Sequence, residues 1–508
     1  MDPETATTLR KRPLSVRISK PGESGGSMAE TLPAPEPLSP TARLFKDLFI
    51  VTLFGSSKPI DLAAVRAGLL RLVARHPRFC SIQATDTFND GTPRWVRTTV
   101  NVDDHIVVPS LEDDGDVATN PEQAVEDYVA SLSTLAMDFS RPLWEFHILN
   151  FPTSATVAAT AVFRCHHSLG DGTSMISLVL ASAQTADSPA EVEAAASMPP
   201  PVRRKGQIYF RPRPPRSAGV LALAKWAWSF VVLAWNTMVD LAGFFATLLF
   251  LNDPDTPFKQ ADHLAEAKSR RVVHRGLSLD DIKYIKNVLN CTVNDVLVGV
   301  TSAALSRYYF RKIGDTDTKK VICIRSLIPV NIRSAPGLQA LADMLDSSNG
   351  KDVAWGNRLG FILLPLQIAS YNDPLEYIRK AKKTADRKKF SLEVLFTHAV
   401  VEITTKLLGA KAAGLVFDRM LGHTTISLSS VMGPVEKIEL SGHPIVFIAP
   451  TTFGVPEALC LNFQSYMNTV RVVLAVDHTK IPDYHILLDD FTASLKTIRD
   501  AAKTTGGE

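Results

Sequence analysis

Ala155-Thr156-Val157-Ala158-Ala159-Thr160-Ala161-Val162-Phe163-Arg164-Cys165 runs directly into His166-His167-Ser168-Leu169-Gly170-Asp171-Gly172. The first part is rich in Val, Thr and Ala and reads as a strand, one that stops abruptly on two histidines. Successive strand side chains point to opposite faces, so only one of His166 and His167 can face a given cavity. Imidazole has an ordinary pKa near 6.5 and can accept a proton at cellular pH. Gly170 and Gly172 let the backbone turn tightly, and Asp171 can pin the turn by pairing with a cation. A single buried histidine is more often a core residue than a catalyst. A metal site from His166, His167 and Asp171 is disfavoured because adjacent strand residues diverge. Cys165 lies in an apolar strand, a poor setting for a thiolate nucleophile. Taken as a unit, the HHxxxDG heptad points to general-base chemistry.

Outward from the heptad, strand-like and helix-like stretches alternate from Thr41 to about residue 195. Asn120-Pro121-Glu122 opens a helix with a capping side chain, a proline and an acid in the first turn. Glu145–Leu149 reads as a strand. After residue 252, Ser278-Leu279-Asp280-Asp281 opens a helix. Thr292 caps the next one, with Asn294 and Asp295 in its first turn. Strands are expected at Val321–Val330, Leu359–Ile368, Ile426–Ser430, Ile445–Ala449 and Val470–Val476, and a closing helix at Asp489–Ala502. This alternation in both halves predicts an α/β (α+β) protein of two domains, as does a length of 508 residues.

The segments divide as a disordered leader (1–36), an N-terminal domain carrying the heptad (37–198), a basic and then apolar linker (199–258) and a C-terminal domain (259–508). The leader has no apolar core of a secretory signal. Its Gly22-Glu23-Ser24-Gly25-Gly26 matches GxSxG by letter but lacks the strand and helix that a nucleophile elbow requires. The linker's Arg203, Arg204, Lys205, Arg211, Arg213 and Arg216 precede an apolar run, Ala218–Leu251, broken only by Lys225 and Asp240. About 20 apolar residues suffice for a membrane span, but Asp240 would cost roughly 2.5–3.5 kcal/mol at its centre. A span would also separate the two halves of a shared site. A monotopic or re-entrant helix pair is therefore expected, with a buried interdomain hairpin as the alternative. The net charge of +3 and the lack of an aromatic-interleaved basic stripe give no reason to expect nucleic acid. Five scattered cysteines without a CxxC pair argue against structural zinc and a disulfide framework.

The chain resembles the plant wax ester synthase/diacylglycerol acyltransferase family. HHxxxDG is shared with the wider CoA-dependent acyltransferase superfamily. The narrower likeness rests on Glu36-Pro37-Leu38-Ser39-Pro40 with Arg43-Leu44-Phe45, on Arg141-Pro142-Leu143-Trp144 and on Asn294-Asp295-Val296-Leu297. It is completed by Pro329-Val330-Asn331-Ile332-Arg333, Gly356-Asn357-Arg358-Leu359-Gly360 and Ser430-Val431-Met432-Gly433-Pro434. The resemblance implies two similar domains with mixed sheets and a tunnel between them, acyl-CoA and alcohol entering from opposite sides. It makes His167 the base and Asp171 a structural salt-bridge partner, with His166 and Gly172 as supporting motif residues. Asn294 becomes an amide donor to the oxyanion, or else a helix-end hydrogen bond. Leu143 and Trp144 line the tunnel, or else pack in the core.

Acyl-CoA is a substrate and no cofactor is needed. The acceptor is a fatty alcohol or diacylglycerol, each a hydroxyl on a long apolar body. The implied location is the cytosolic face of the endoplasmic reticulum membrane, with the plasma membrane second and a monotopic or single-pass attachment. Relatives of the same fold that acylate phenolics or amines carry a DFGWG-like motif, which Thr452-Phe453-Gly454-Val455-Pro456 matches poorly. A catalytically silent lipid-binding protein on this scaffold would show a broken heptad, and here it is intact.

Overall fold

A computed structural model describes residues 36–45, 47–85, 92–111, 117, 119–185, 219–259, 269–314, 319–333 and 355–506. The GxSxG match and the basic run 203–216 lie outside them. In the first half the strands are β1 (Glu36–Pro37), β2 (Phe49–Ser56), β3 (Ser81–Thr85), β4 (Pro93–Arg97), β5 (Ile106–Val107), β6 (Trp144–Leu149), β7 (Ala159–His166) and β8 (Ala183–Thr185). The second half supplies β9 (Arg270–Ser278), β10 (Val321–Asn331), β11 (Leu359–Ala369), β12 (Ile426–Val431), β13 (Ile438–Leu440), β14 (His443–Phe453), β15 (Leu459–Tyr466) and β16 (Thr469–Asp477). The helices are α1 (Leu62–Arg75), α2 (Pro121–Leu132), α3 (Gly172–Ser182), α4 (Val220–Leu249), α5 (Leu279–Val288), α6 (Val293–Ile313), α7 (Leu375–Lys389), α8 (Glu393–Gly422) and α9 (Tyr484–Gly506).

Two mixed sheets organise the molecule. The first runs β5-β6-β7-β2-β14-β13-β8 and the second β11-β10-β12-β15-β16-β9. β7 lies inside the first sheet between β6 and β2, which explains its near-continuous burial. Its C-terminal end therefore delivers the heptad at the sheet's margin. β14 comes from the C-terminal half yet pairs antiparallel with β2, from Phe453 opposite Phe49 to Ile445 near Ser56. The boundary at 258/259 thus divides the chain but not the sheets. One apolar cluster joins Phe49, Val51 and Val162 to Val272, Val473 and Ala475, so part of the core is common to both sheets.

Local signals behave as physical chemistry dictates. Asn120 caps α2 through Gln123 N, and Thr292 with Asp295 forms a reciprocal capping box on α6. β10 runs one residue past its hydrophobic pattern, whereas β14 starts two residues before its pattern and ends four residues beyond it.

The expected helix pair in the linker is instead one continuous helix. No proline interrupts α4, and the charge that argued against a simple span is neutralised by protein: Asp240 is buried and pairs with Arg387 at 2.7 Å and Lys388 at 2.9 Å. Asn236 donates to Phe390 O at 3.0 Å, and Thr237 Oγ1 accepts from Leu392 N at 3.0 Å. α4 is thereby moored to the second domain along its C-terminal half, while its outer face remains exposed and apolar. It is long and apolar enough to cross a membrane.

Arg325 of β10 ties this mooring off. Its guanidinium donates to Asp253 Oδ1 at 2.6 Å, to Leu251 O at 2.9 Å, to His423 O at 2.8 Å and to Thr247 Oγ1. Arg325→Ala leaves the buried Asp253 without its cation, an expected loss of about 3–5 kcal/mol. Chemical denaturation should show it, with faster amide exchange across 244–251. Unchanged stability and exchange would contradict this role.

Candidate active site

β7 ends at His166, and the chain turns at once, so the two imidazoles part company. His167 N donates to Leu48 O at 2.8 Å, which fixes the turn beside β2. The His167 ring packs against Phe45 with centroids 4.6 Å apart and keeps 9% of the residue's surface exposed. Its Nδ1 lies 3.1 Å from Oδ1 of Asn357, a residue of the other half of the chain. The Asn357 amide nitrogen donates to His167 O at 2.8 Å and reaches Ser168 O at 3.5 Å. Reversing that amide would set its oxygen against two carbonyls, so Oδ1 must face the ring. An acceptor facing Nδ1 requires Nδ1 to carry the proton. Nε2 is then the nitrogen with the free lone pair, and among the described residues it has no hydrogen-bond partner.

Burial pushes His167 below its ordinary 6.5, with the Asp171 carboxylate and the Asn357 hydrogen bond opposing that shift in part. A lowered pKa keeps the ring neutral at cellular pH, as a proton acceptor requires. His166 is held separately. Its Nδ1 accepts from Ser168 N at 3.2 Å and meets Ser168 Oγ at 2.6 Å, and its ring stands edge-on to Phe49 and Phe139. Burial pushes the Cys165 thiol up to about 12, so it stays protonated and inert.

Asp171 engages partners on both sides of the turn. As the N-cap of α3, its Oδ1 accepts from Ser174 N at 2.9 Å and Ser174 Oγ at 3.1 Å. Its Oδ2 accepts from Arg333 Nη1 at 2.7 Å and from Arg358 N at 3.3 Å. Both partners of the Asp171–Arg333 pair are almost fully buried. Arg333 also donates to Gly356 O, and Trp355 Nε1 donates to Leu169 O at 2.7 Å. The loop after β7 is thus clamped by two segments of the C-terminal half, 331–333 and 355–358.

The glycines need a correction. Neither Gly170 nor Gly172 has a positive φ. Gly170 is required by space, since a Cβ would come within 2.8 Å of Met175 Cε and 2.9 Å of Ser174 Cβ. At Gly172 it would meet only Val431 Cγ2, at an ordinary 3.5 Å. Gly356 is the position of unusual backbone, with φ +107° and Arg78 Nη1 2.7 Å from a would-be Cβ.

Leu143 and Trp144 are core residues rather than channel lining. Leu143 belongs to the cluster shared by the sheets, and its carbonyl accepts from His166 N. Trp144 is fully buried, stacks on His105 at 4.2 Å and donates Nε1 to Phe79 O at 2.9 Å. Each has its polar and apolar partners within the fold, leaving nothing to offer a substrate. Phe45 occupies the place beside His167 where an open tunnel was expected. Asn294 sits exposed in the first turn of α6, and its Oδ1 accepts from Ser430 Oγ at 3.1 Å. Among the described contacts none joins it to His167.

Three residues of the site carried no role in the sequence reading: Asn357, Arg333 and Phe45. All lie in the quoted stretches that carry the family likeness, and that likeness was the signal available.

Residues 48–297 match the wax ester synthase/diacylglycerol acyltransferase catalytic domain, and residues 355–499 match the WS/DGAT C-terminal domain. Wax ester synthase/diacylglycerol acyltransferase 11 of Arabidopsis thaliana is 40% identical over 499 residues, covering 96% of this chain and 99% of the relative. Number 4 of the same plant is 40% identical over 479 residues, covering 92% and 90%. Among solved structures, the wax ester synthase/diacylglycerol acyltransferase of Marinobacter aquaeolei VT8 aligns with a TM-score of 0.55 at 16% identity, covering 92% of this chain and 100% of that one. The first condensation domain of the calcium-dependent antibiotic synthetase aligns with 0.55 at 14%, covering 92% and 96%. These two likenesses concern the fold, a pair of similar domains. With the sequence matches spanning nearly its whole length, the chain belongs to the wax ester synthase/diacylglycerol acyltransferase family.

Proposed function

We propose that this protein transfers a fatty acyl group from acyl-CoA to the hydroxyl of a long-chain alcohol or of diacylglycerol, with His167 as general base. The observation that carries the reading is the contact between Asn357 Oδ1 and His167 Nδ1. Asn357 accepts from Nδ1 and so holds the proton there, which leaves the basic Nε2 as the nitrogen without a partner among the described residues. In the reaction Nε2 takes the hydroxyl proton as the alcohol oxygen attacks the thioester carbonyl carbon. The tetrahedral oxyanion then collapses, the carbon–sulfur bond breaks, and the imidazolium returns its proton to the departing thiolate. The products are an ester and free CoA, and no acyl-enzyme intervenes.

Asn294 is the proposed oxyanion donor. Ser430 engages its carbonyl oxygen and thereby fixes the plane of the amide. Among the described residues its NH2 group has no acceptor, so it is available to a substrate oxygen. The relatives are named for wax ester and diacylglycerol, both apolar, and the outer face of α4 suits that chemistry. Trp228 and Trp235 are 66% and 61% exposed there, along with Leu221, Leu249 and Phe250. We place the protein on a membrane surface, at the cytosolic face of the endoplasmic reticulum. Its five cysteines are all free, which suits a reducing compartment. The mooring of Asp240 to α7, and of Asn236 and Thr237 to Phe390 and Leu392 in the turn that follows it, favours α4 lying in the interface over crossing the bilayer alone.

Membranes bearing the protein, given labelled acyl-CoA and hexadecanol or diacylglycerol, should form ester. His167→Ala should lower the rate about 10²–10⁴-fold. Because only neutral imidazole accepts a proton and burial lowers its pKa, kcat/KM should stay level through neutral pH and fall only below 6.5. Equal ester formation by wild type and His167→Ala, or an acid limb centred above 6.5, would contradict the mechanism.

Asn294→Ala should lower kcat about 10²–10³-fold with little change in KM, the pattern of a donor used in the transition state. An unchanged kcat would leave Asn294 a helix-end residue.

A further inference from the structure

Arg78 stands in the short 3₁₀ turn Pro77–Cys80, and the residue is 7% exposed. Its Nη1 donates to Leu169 O at 3.2 Å. That carbonyl belongs to the heptad, just beyond His167, and it also accepts from Trp355 Nε1 at 2.7 Å. Its two lone pairs are thus taken by donors from the two halves of the chain.

The guanidinium is oriented from outside. Nη2 donates to Glu36 Oε1 at 2.5 Å, with Nε 3.5 Å from the other carboxylate oxygen. An approach of fork to fork fixes the plane of the group as well as its position. Glu36 of β1 lies opposite Trp95 of β4, whose ring is 5.8 Å from Arg78 Cζ. His76 supports the same corner, with its ring 4.0 Å from Trp355 and its Nδ1 accepting from Arg78 N at 3.3 Å. Burial, and then the Arg78 charge, push its pKa down to about 3, so it adds no second cation there.

On the inner side Nη1 lies against Gly356, where a Cβ would come within 2.7 Å of it and the backbone takes φ +107°. The Gly356 carbonyl accepts from Arg333 and from Ser174 Oγ at 3.2 Å. The residue before Asn357 is therefore gripped twice, by one guanidinium on its carbonyl and by the other against its Cα. Without the second grip the backbone gains freedom at the point where Asn357 meets His167.

Resting on the reading of His167 as base, we propose that Arg78 is a positioning residue for the reaction. Oriented by Glu36, its guanidinium holds Leu169 O and Gly356 so that Asn357 Oδ1 stays on His167 Nδ1. It touches no reacting atom, and its effect on the chemistry passes through Asn357. That route separates it from a residue that only stabilises the fold.

Arg78→Met keeps an unbranched stem and removes the guanidinium. Leu169 O retains Trp355, and the exposed Glu36 carboxylate returns to water, so the change orphans no buried group. With hexadecanol and palmitoyl-CoA, kcat should fall about 10–100-fold. In an Asn357→Leu background the same substitution should alter kcat by less than about two-fold, because the contact it serves is already gone. An unchanged kcat in the first background, or a loss as large in the second, would overturn the proposal.

The proton on His167 gives a reading independent of turnover. NMR of isotope-labelled histidine should find it on Nδ1 in the wild type and spread over both nitrogens in Arg78→Met. A variant that keeps it on Nδ1 alone overturns the proposal. If Arg78→Met fails to fold, Glu36→Gln at its exposed site takes its place, with kcat expected to fall about two- to five-fold in the wild-type background only. No loss there, or the same loss beside Asn357→Leu, counts against Arg78. Failure of unmodified wild type to esterify any alcohol would instead sink the acyltransferase reading, and the NMR comparison would still decide the role of Arg78.

Discussion

The hydrogen bond between Asn357 and His167 is the constraint on which the rest depends. An imidazole presents two nitrogens, and a base is useful only if the lone pair lies on the one facing the substrate. Asn357 settles that by spending its own amide on the His167 carbonyl, which leaves only an acceptor for Nδ1. The partners are 190 residues apart in sequence, so the base is competent only when both halves of the chain are in place. Arg333 and Arg358 add to the same dependence by satisfying Asp171, whose other oxygen caps α3. A buried carboxylate without these donors would be costly, so the loop, the ion pair and the helix start stand or fall together.

What the sequence made legible follows from the range of the interactions. β7 was readable because strand composition and its abrupt end are local features. The caps at Asn120 and Thr292 were readable because each is satisfied within three residues. His167 and Asp171 stood out through the heptad. Asn357 did not, because nothing in Gly356-Asn357-Arg358 says which distant carbonyl its amide meets. The insertion of β14 beside β2 was hidden for the same reason: strand patterning shows that a strand exists, not whose edge it joins. Leu143 and Trp144 stayed open between tunnel wall and core because an apolar side chain next to a motif has the same sequence signature in either place.

α4 shows how one buried charge changes the meaning of an apolar run. Hydropathy alone treats Asp240 as a penalty within a span. In the fold it is a tether, paired with Arg387 and Lys388, while Lys388 also meets Glu393 at 2.7 Å. Burial pushes the Glu393 carboxyl up to about 7 despite that lysine. The helix thus has two faces with separate tasks, one fixed to the second domain by polar contacts and the other left apolar and open. The same division recurs in α8, where Val401, Phe417 and Met420 are buried while Leu407 and Leu408 are exposed.

The central claim is a statement about one proton, and NMR of isotope-labelled histidine reads it directly. With the His167 signals assigned by their loss in His167→Gln, the folded protein at neutral pH should show a protonated Nδ1 and an unprotonated Nε2. Replacing Asn357 by Leu should abolish that preference. A wild-type His167 carrying its proton on Nε2, or a preference unchanged in the Leu variant, would contradict the account.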